Sequence, residues 1–117
     1  MPAARILSTA AIALGLIAAG PVYAQAKERA PQIKVLLENA KVRVTETTFL
    51  PGDVSRADRK ARTNYVVTDG RLERTGKDGK KTVYERKGGT AVWLEADSDV
   101  VRNIGKTTYV VIGITNK

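Results

Sequence analysis

Asp58 and Lys60 stand two residues apart in the run Ser55–Arg62, Ser-Arg-Ala-Asp-Arg-Lys-Ala-Arg. In an extended segment both side chains would emerge on one face. The pair could act as a salt bridge, or as a source of general acid and base with Tyr65 nearby: Asp58, Tyr65 or a Lys60 of lowered pKa. The same run also reads as an exposed loop over residues 56–62 with its charges in water. The residue types that are missing narrow the chemistry further. The chain has no histidine and no cysteine. Zinc, blue-copper, iron–sulfur and Ser-His-Asp chemistry are thereby excluded, as is the commonest acid/base of neutral pH. Only metals held by oxygen ligands stay open. Lys60 argues against even those at this place, because an ammonium group has no lone pair to offer a cation.

The formal net charge is +8 over 117 residues. Such a surface favours anionic partners, although solubility alone also accounts for it. The expected ligand is therefore a small anion such as a carboxylate or a phosphorylated sugar. Lys60, Arg62 and Arg102 are the candidate contacts, and Tyr65 and Trp93 the candidate walls. Trp93 lies between Val92 and Leu94, so it is either core or pocket lining, and its mid-strand place favours core. A nucleic-acid partner is not expected. Arg56, Arg59, Lys60 and Arg62 are basic, but no aromatic residue interleaves them and Asp58 interrupts the run.

The elements that must position these residues read as strands. Val42 and Val44 alternate with Lys41 and Arg43, the period of a half-buried strand. Strands are expected over 33–37, 41–48, 64–67, 71–74, 81–86, 90–94, 100–101 and 107–115. Gly76-Lys-Asp-Gly79 is a hairpin turn, since glycine accepts the positive φ that such turns need. The last strand, Tyr109 to Ile114, is apolar on both faces and suits burial on both sides. No amphipathic helix or repeat is visible. Short strands at regular spacing predict an all-β barrel or sandwich.

Residues 1–24 read as a signal peptide. Met1–Arg5 is a short basic start, Ile6–Gly20 is uncharged and apolar, and Val22 and Ala24 fill the small-residue positions of a cleavage site. The apolar run, near 15 residues, is shorter than the ~20 of a spanning helix. Cleavage leaves 93 residues, with no stable membrane span, in the periplasm or secreted. Residues 25–32 are expected to be a flexible N-terminus and 33–117 a single β domain. With no disulfide available, the core must suffice, helped by a homodimer if one forms.

The order of motifs resembles that of the cupins. Pro51-Gly52-Asp53-Val54-Ser55, the charged run, and then Tyr65-Val-Val-Thr-Asp-Gly70 are similar to the first cupin motif. Gly89-Thr-Ala-Val-Trp-Leu-Glu95, through Asp99, to Asn103-Ile-Gly105 is similar to the second. The resemblance spans about Ile33 to Ile114. It implies a jelly-roll β-barrel whose family members hold a divalent metal on three histidines and a glutamate. At those places this chain has Asp58, Lys60, a position near Asn64, and Asp99, while Glu95 and Asp97 replace a proline and a glycine. Gly89 and Asn103 match the pattern, and Asn103 is expected to fix a turn rather than touch ligand. The metal ligands are thus replaced, and no metal or other cofactor is expected. The resemblance instead allows Lys60 to take the metal's electrostatic place between Asp58 and Asp99, an Asp–Lys–Asp cluster at the barrel mouth with Asp99 a further candidate acid or base. The reading that follows is an exported, non-catalytic, small-ligand-binding or accessory protein. The alternatives are a metal-independent isomerase or lyase using Asp58, Lys60 and Asp99, and a dimeric structural or interaction protein.

Overall fold

In a computed structural model, residues 27–117 are described, and they form nine antiparallel strands. The signal segment expected over 1–24 lies outside the described residues. The strands are β1 (Gln32–Glu38), β2 (Val42–Phe49), β3 (Val54–Ser55), β4 (Arg62–Val66), β5 (Gly70–Thr75), β6 (Lys81–Arg86), β7 (Ala91–Leu94), β8 (Val100–Asn103) and β9 (Tyr109–Asn116). β3 falls inside the stretch between Pro51 and Arg62 that shows no strand pattern, because two residues are too few to carry an alternation.

The turns between strands follow from side-chain chemistry. Asn39 accepts hydrogen bonds from the amides of Lys41 and Val42 through its Oδ1, at 2.8 and 3.0 Å, and so closes β1 onto β2. Its side chain here copies the backbone of a turn. Gly79 turns β5 into β6 at φ 83°, with its amide donating to the Gly76 carbonyl at 2.9 Å.

Five strands make one sheet in the order β1-β2-β9-β4-β7, and four make a second in the order β3-β8-β5-β6. The apolar β9 is central in the larger sheet, as its two-faced apolar pattern requires. Its inward residues Tyr109 and Val111 are buried together with Phe49, Val66, Leu72 and Val101. Each such side chain stabilises the fold by about 1.5–3 kcal/mol. The rings of Phe49 and Tyr109 lie 5.9 Å apart, tilted by 47°. Burial pushes the Tyr109 phenol up to about 12, with the neighbouring Tyr84 adding to the shift and Arg86 opposing it.

Asn103 fixes a turn, as its motif position led us to expect. It is fully buried; its Nδ2 donates to the carbonyls of Phe49 and Thr107, each at 3.0 Å, and its Oδ1 accepts from the Gly105 amide at 2.9 Å. Asp53, whose carbonyl accepts the Asn103 amide at 3.0 Å, fixes the neighbouring turn in the same way, accepting from the Leu50 amide at 2.8 Å and from Arg29 Nε at 2.6 Å. The described part of the expected flexible N-terminus is therefore tied down. Arg29 also accepts the Val54 amide at its carbonyl, and Glu28 pairs with Arg56 at 2.6 Å.

Candidate functional site: a cation-lined barrel cavity

The inner faces of the two sheets enclose a cavity of about 420 Å³. Strand alternation decides what lines it. From β2 come Arg43, Thr45 and Thr47, from β4 Arg62 and Asn64, and from β9 Val111, Gly113 and Thr115. The smaller sheet adds Leu72 and Arg74 from β5, and Tyr84 and Arg86 from β6. Seven basic side chains line the space: Arg43, Arg59, Lys60, Arg62, Arg74, Arg86 and Lys117. Asp58 is the one acidic residue on that lining.

One end of the cavity is closed by a cluster of arginines and aspartates. Asp97 lies 2.8 Å from Arg59, 3.2 Å from Arg62 and 3.5 Å from Arg74, and Asp99 lies 3.2 Å from Arg74. Arg59 also donates to the Asp99 carbonyl and, at 2.8 Å, to Ser55 Oγ. The backbones of Arg59 and Asp97 exchange two hydrogen bonds, at 2.7 and 2.9 Å. Residues 56–61 and 95–99 each cross from one sheet to the other, so this bridge staples the two crossovers together. Burial opposes ionisation of Asp97, yet the hydrogen bonds and charges of Arg59 and Arg62, with the Asp99 amide, outweigh it. Its carboxyl is held below the usual aspartate range. Burial pulls Arg62 below the usual guanidinium value, against the support of Asp97, and the nearby Arg59 and Arg74 pull the same way. Arg86 lies over the Tyr84 ring at 4.5 Å and Arg74 at 5.6 Å, a pair of cation–π contacts that holds both guanidinium groups on the cavity wall.

The structure sorts the residues singled out in the sequence. Arg62 is on the cavity lining and only 8 % exposed. Asp99 is at the closed end, but its partners are Arg74 and Arg59 rather than Lys60. Asp58 and Lys60 are exposed on the rim of the cavity and make no ion pair among the described residues. The Asp58–Lys60–Asp99 convergence therefore does not form. In its place stands Asp97 with Arg59, Arg62 and Arg74. The reason is phase: counting from Gly52 assumes a regular strand, whereas the crossover draws Arg59 onto Asp97 and leaves Asp58 and Lys60 exposed where they border the cavity.

Tyr65 and Trp93 do not wall the cavity. Inward Arg62, Asn64 and Val66 place Tyr65 on the outer face of β4, and Trp93 pairs with outward Thr63. They are 45 % and 57 % exposed, and Trp93 Nε1 donates to Glu95 at 2.7 Å. The core reading of Trp93 is thus also corrected. Arg102 points outward from β8, 3.9 Å from Glu28. Sequence reasoning passed over Arg43, Arg74, Arg86 and Asp97 as site residues. In β5 the alternation was a usable signal, since it places Arg74 on the face of Leu72. In β2 it pointed the other way, because Arg43, Thr45 and Thr47 line the cavity and the valines lie on the opposite face.

A divalent cation does not suit this lining. Among the described residues no group of three or more His, Cys, Asp or Glu side chains converges. The two aspartates at the closed end are already paired with three guanidinium groups, which leaves one positive charge in excess there, and the remaining cavity charge would repel a cation.

No family model matches the chain, and no curated protein matches it. Solved structures do. A cupin domain from Bordetella pertussis Tohama I superposes with a TM-score of 0.69 at 22 % identity, over 79 % of this chain and 98 % of that one. A double-stranded β-helix domain protein from Klebsiella pneumoniae subsp. pneumoniae MGH 78578 gives 0.59 at 18 % identity, over 77 % and 79 %. The polyketide cyclase RemF from Streptomyces resistomycificus gives 0.58 at 14 % identity, over 78 % and 70 %. With its two antiparallel sheets wrapped around one cavity, the chain has the cupin fold, a jelly-roll β-barrel.

Proposed function

We propose that this cupin-fold barrel is an exported, non-catalytic binding or accessory protein that holds a small anionic ligand in its cavity. One observation carries the reading: seven cationic side chains line a cavity of about 420 Å³, and the carboxylates beside them, Asp58 on the lining and Glu38, Asp97 and Asp99 paired to its cations, are too few to balance them. That volume lies within the range of small-molecule sites. Cations gathered between low-dielectric walls attract an anion more strongly than the same charges spread over an open surface. The separation of Asp58 and Lys60 from Asp99 counts against the alternative of an isomerase or lyase built on those three. Export rests on the N-terminal sequence, and the absence of cysteine lets the domain fold in an oxidising compartment without mispaired thiols.

Thermal unfolding of the purified protein in the presence of carboxylates, phosphate esters and neutral sugars tests the binding reading. A ligand that binds only the folded state raises Tm by mass action. The anions are expected to raise it, with a smaller rise at high salt and in Arg86→Gln, while neutral sugars leave it unchanged. Equal shifts for neutral and anionic compounds, or none for either, contradict the reading.

A second reading concerns assembly. β1 is apolar on both faces, with Ile33, Val35, Leu36 and Leu37 all exposed, and one of its edges is unpaired. We propose that a second copy covers it. An exposed apolar edge strand is otherwise an aggregation hazard. Sedimentation equilibrium is expected to give a dimer that Leu37→Lys dissociates; a monomer at all concentrations contradicts this.

A further inference from the structure

Gly113 stands in the middle of β9, the central strand of the larger sheet, where a glycine weakens pairing and leaves a bare patch. Its φ is not positive, so the backbone does not require glycine there. What the glycine provides is space. A Cβ at Gly113 would lie 3.4 Å from both Asn64 Oδ1 and Thr45 Oγ1. The strand register makes Thr45 and Asn64 its cross-strand partners on either side. An amide and a hydroxyl thus flank an open patch on the cavity floor.

The next row of the same inner face is charged. Thr115 pairs with Arg43 on β2, and Arg62, one residue before the Thr63–Ile114 pair, flanks it on β4. Arg43 and Arg62 therefore stand two strands apart, ~10 Å between strand axes. All three hydrogen bonds of Arg62 leave from Nη1, to Lys60 O, Glu95 O and Asp97 Oδ2. Nε and Nη2 make no hydrogen bond among the described residues, and together they form the edge that takes a carboxylate through two parallel hydrogen bonds. Glu38, 3.5 Å from Arg43, is shared with Lys117 at 2.7 Å.

The geometry points to a ligand that is a hydroxylated carboxylate of the sugar-acid class. Its carboxylate lies on the Arg62 edge beside Arg43, and its hydroxyls lie on Thr45 and Asn64 over Gly113. This inference rests on the anion-binding reading and adds the hydroxyls, which a simple charge trap does not need.

Calorimetric titration of the whole protein with gluconate, hexanoate, glucose and glucose 6-phosphate separates the two. Gluconate is expected to bind about tenfold or more tighter than hexanoate, as one or two good hydrogen bonds allow, and glucose not at all. Asn64→Leu and Thr45→Val are expected to cost gluconate about tenfold and to leave hexanoate within about twofold. Gly113→Ala fills the cradle without backbone strain and is expected to lose gluconate selectively, with an unchanged circular dichroism spectrum. Equal binding of hexanoate and gluconate overturns the hydroxyl inference and leaves the anion reading standing. Glucose 6-phosphate binding in preference to gluconate overturns the carboxylate assignment. No saturable binding of any anion overturns both. A Gly113→Ala protein that binds gluconate like the parent contradicts the cradle.

Discussion

Replacing Asp97 by asparagine keeps the side chain's shape and removes its charge. In the native barrel the carboxylate serves Arg59 at 2.8 Å, Arg62 at 3.2 Å and Arg74 at 3.5 Å, and its side chain is 15 % exposed. The amide offers one acceptor oxygen, and its NH2 group faces guanidinium donors. Three cations are then left with Asp99 alone. Breaking a fully buried pair costs about 3–5 kcal/mol. Arg59 and Arg74 retain some contact with solvent, at 18 % and 23 % exposure, so the expected loss is about 2–4 kcal/mol. For a domain of this size that lowers Tm by about 10–25 °C. Thermal and urea unfolding followed by far-ultraviolet circular dichroism measure it, with Asp58→Asn as the control. The exposed Asp58 is expected to shift stability by less than about 0.5 kcal/mol. An Asp97→Asn loss below about 1 kcal/mol, the worth of a surface ion pair, refutes the claim that the Asp97 carboxylate holds the three guanidinium groups at the closed end.

Three further outcomes follow from the same geometry. Asp97 titrates lower in the folded chain than in the unfolded one, so its stabilisation is complete above the unfolded value of about 4. It is lost as pH falls through the folded value, and Asp97→Asn is expected to flatten the acid limb of a stability–pH curve; an unchanged limb contradicts the assignment. Asn103→Ala removes the side chain behind three hydrogen bonds at a buried site and is expected to cost about 3 kcal/mol or more by urea unfolding; a cost under about 1 kcal/mol is the contrary result. Trp93 fluorescence is expected to be as open to acrylamide quenching in the native protein as in urea, and Trp93→Phe to leave stability within about 0.5 kcal/mol; a shielded indole contradicts its outward placement.

Much of the fold was legible because the alternation in β2 and the glycine turns speak for themselves. Pro51-Gly52, Gly76–Gly79 and Asn103 act where their chemistry says they should. The site was legible by composition and less so by residue. A basic chain without histidine led us to expect cations at the site, and Arg62 does lie on the cavity lining. Arg43, Arg74 and Arg86 sit in regular strands as polar residues that read as solvent-facing, while the crossover of residues 56–61 hid the Arg59–Asp97 pairing. Motif spacing counts residues, but the inward phase there is set by the Arg59–Asp97 bridge, whose partners lie 38 positions apart. No local pattern encodes that pairing. Tyr65 and Trp93 were misplaced for a related reason, since an aromatic in a short strand of a small barrel sits inside or outside according to a parity that only the neighbouring strand fixes.

The central claim is that the barrel interior receives an anion where the family resemblance implies a metal. A crystal structure of the protein grown with gluconate and Mn2+ together tests it most directly. The carboxylate is expected on the Nε–Nη2 edge of Arg62 beside Arg43, with no manganese anomalous signal in the cavity. A manganese peak inside the barrel, or gluconate bound only on the outer surface, would contradict it.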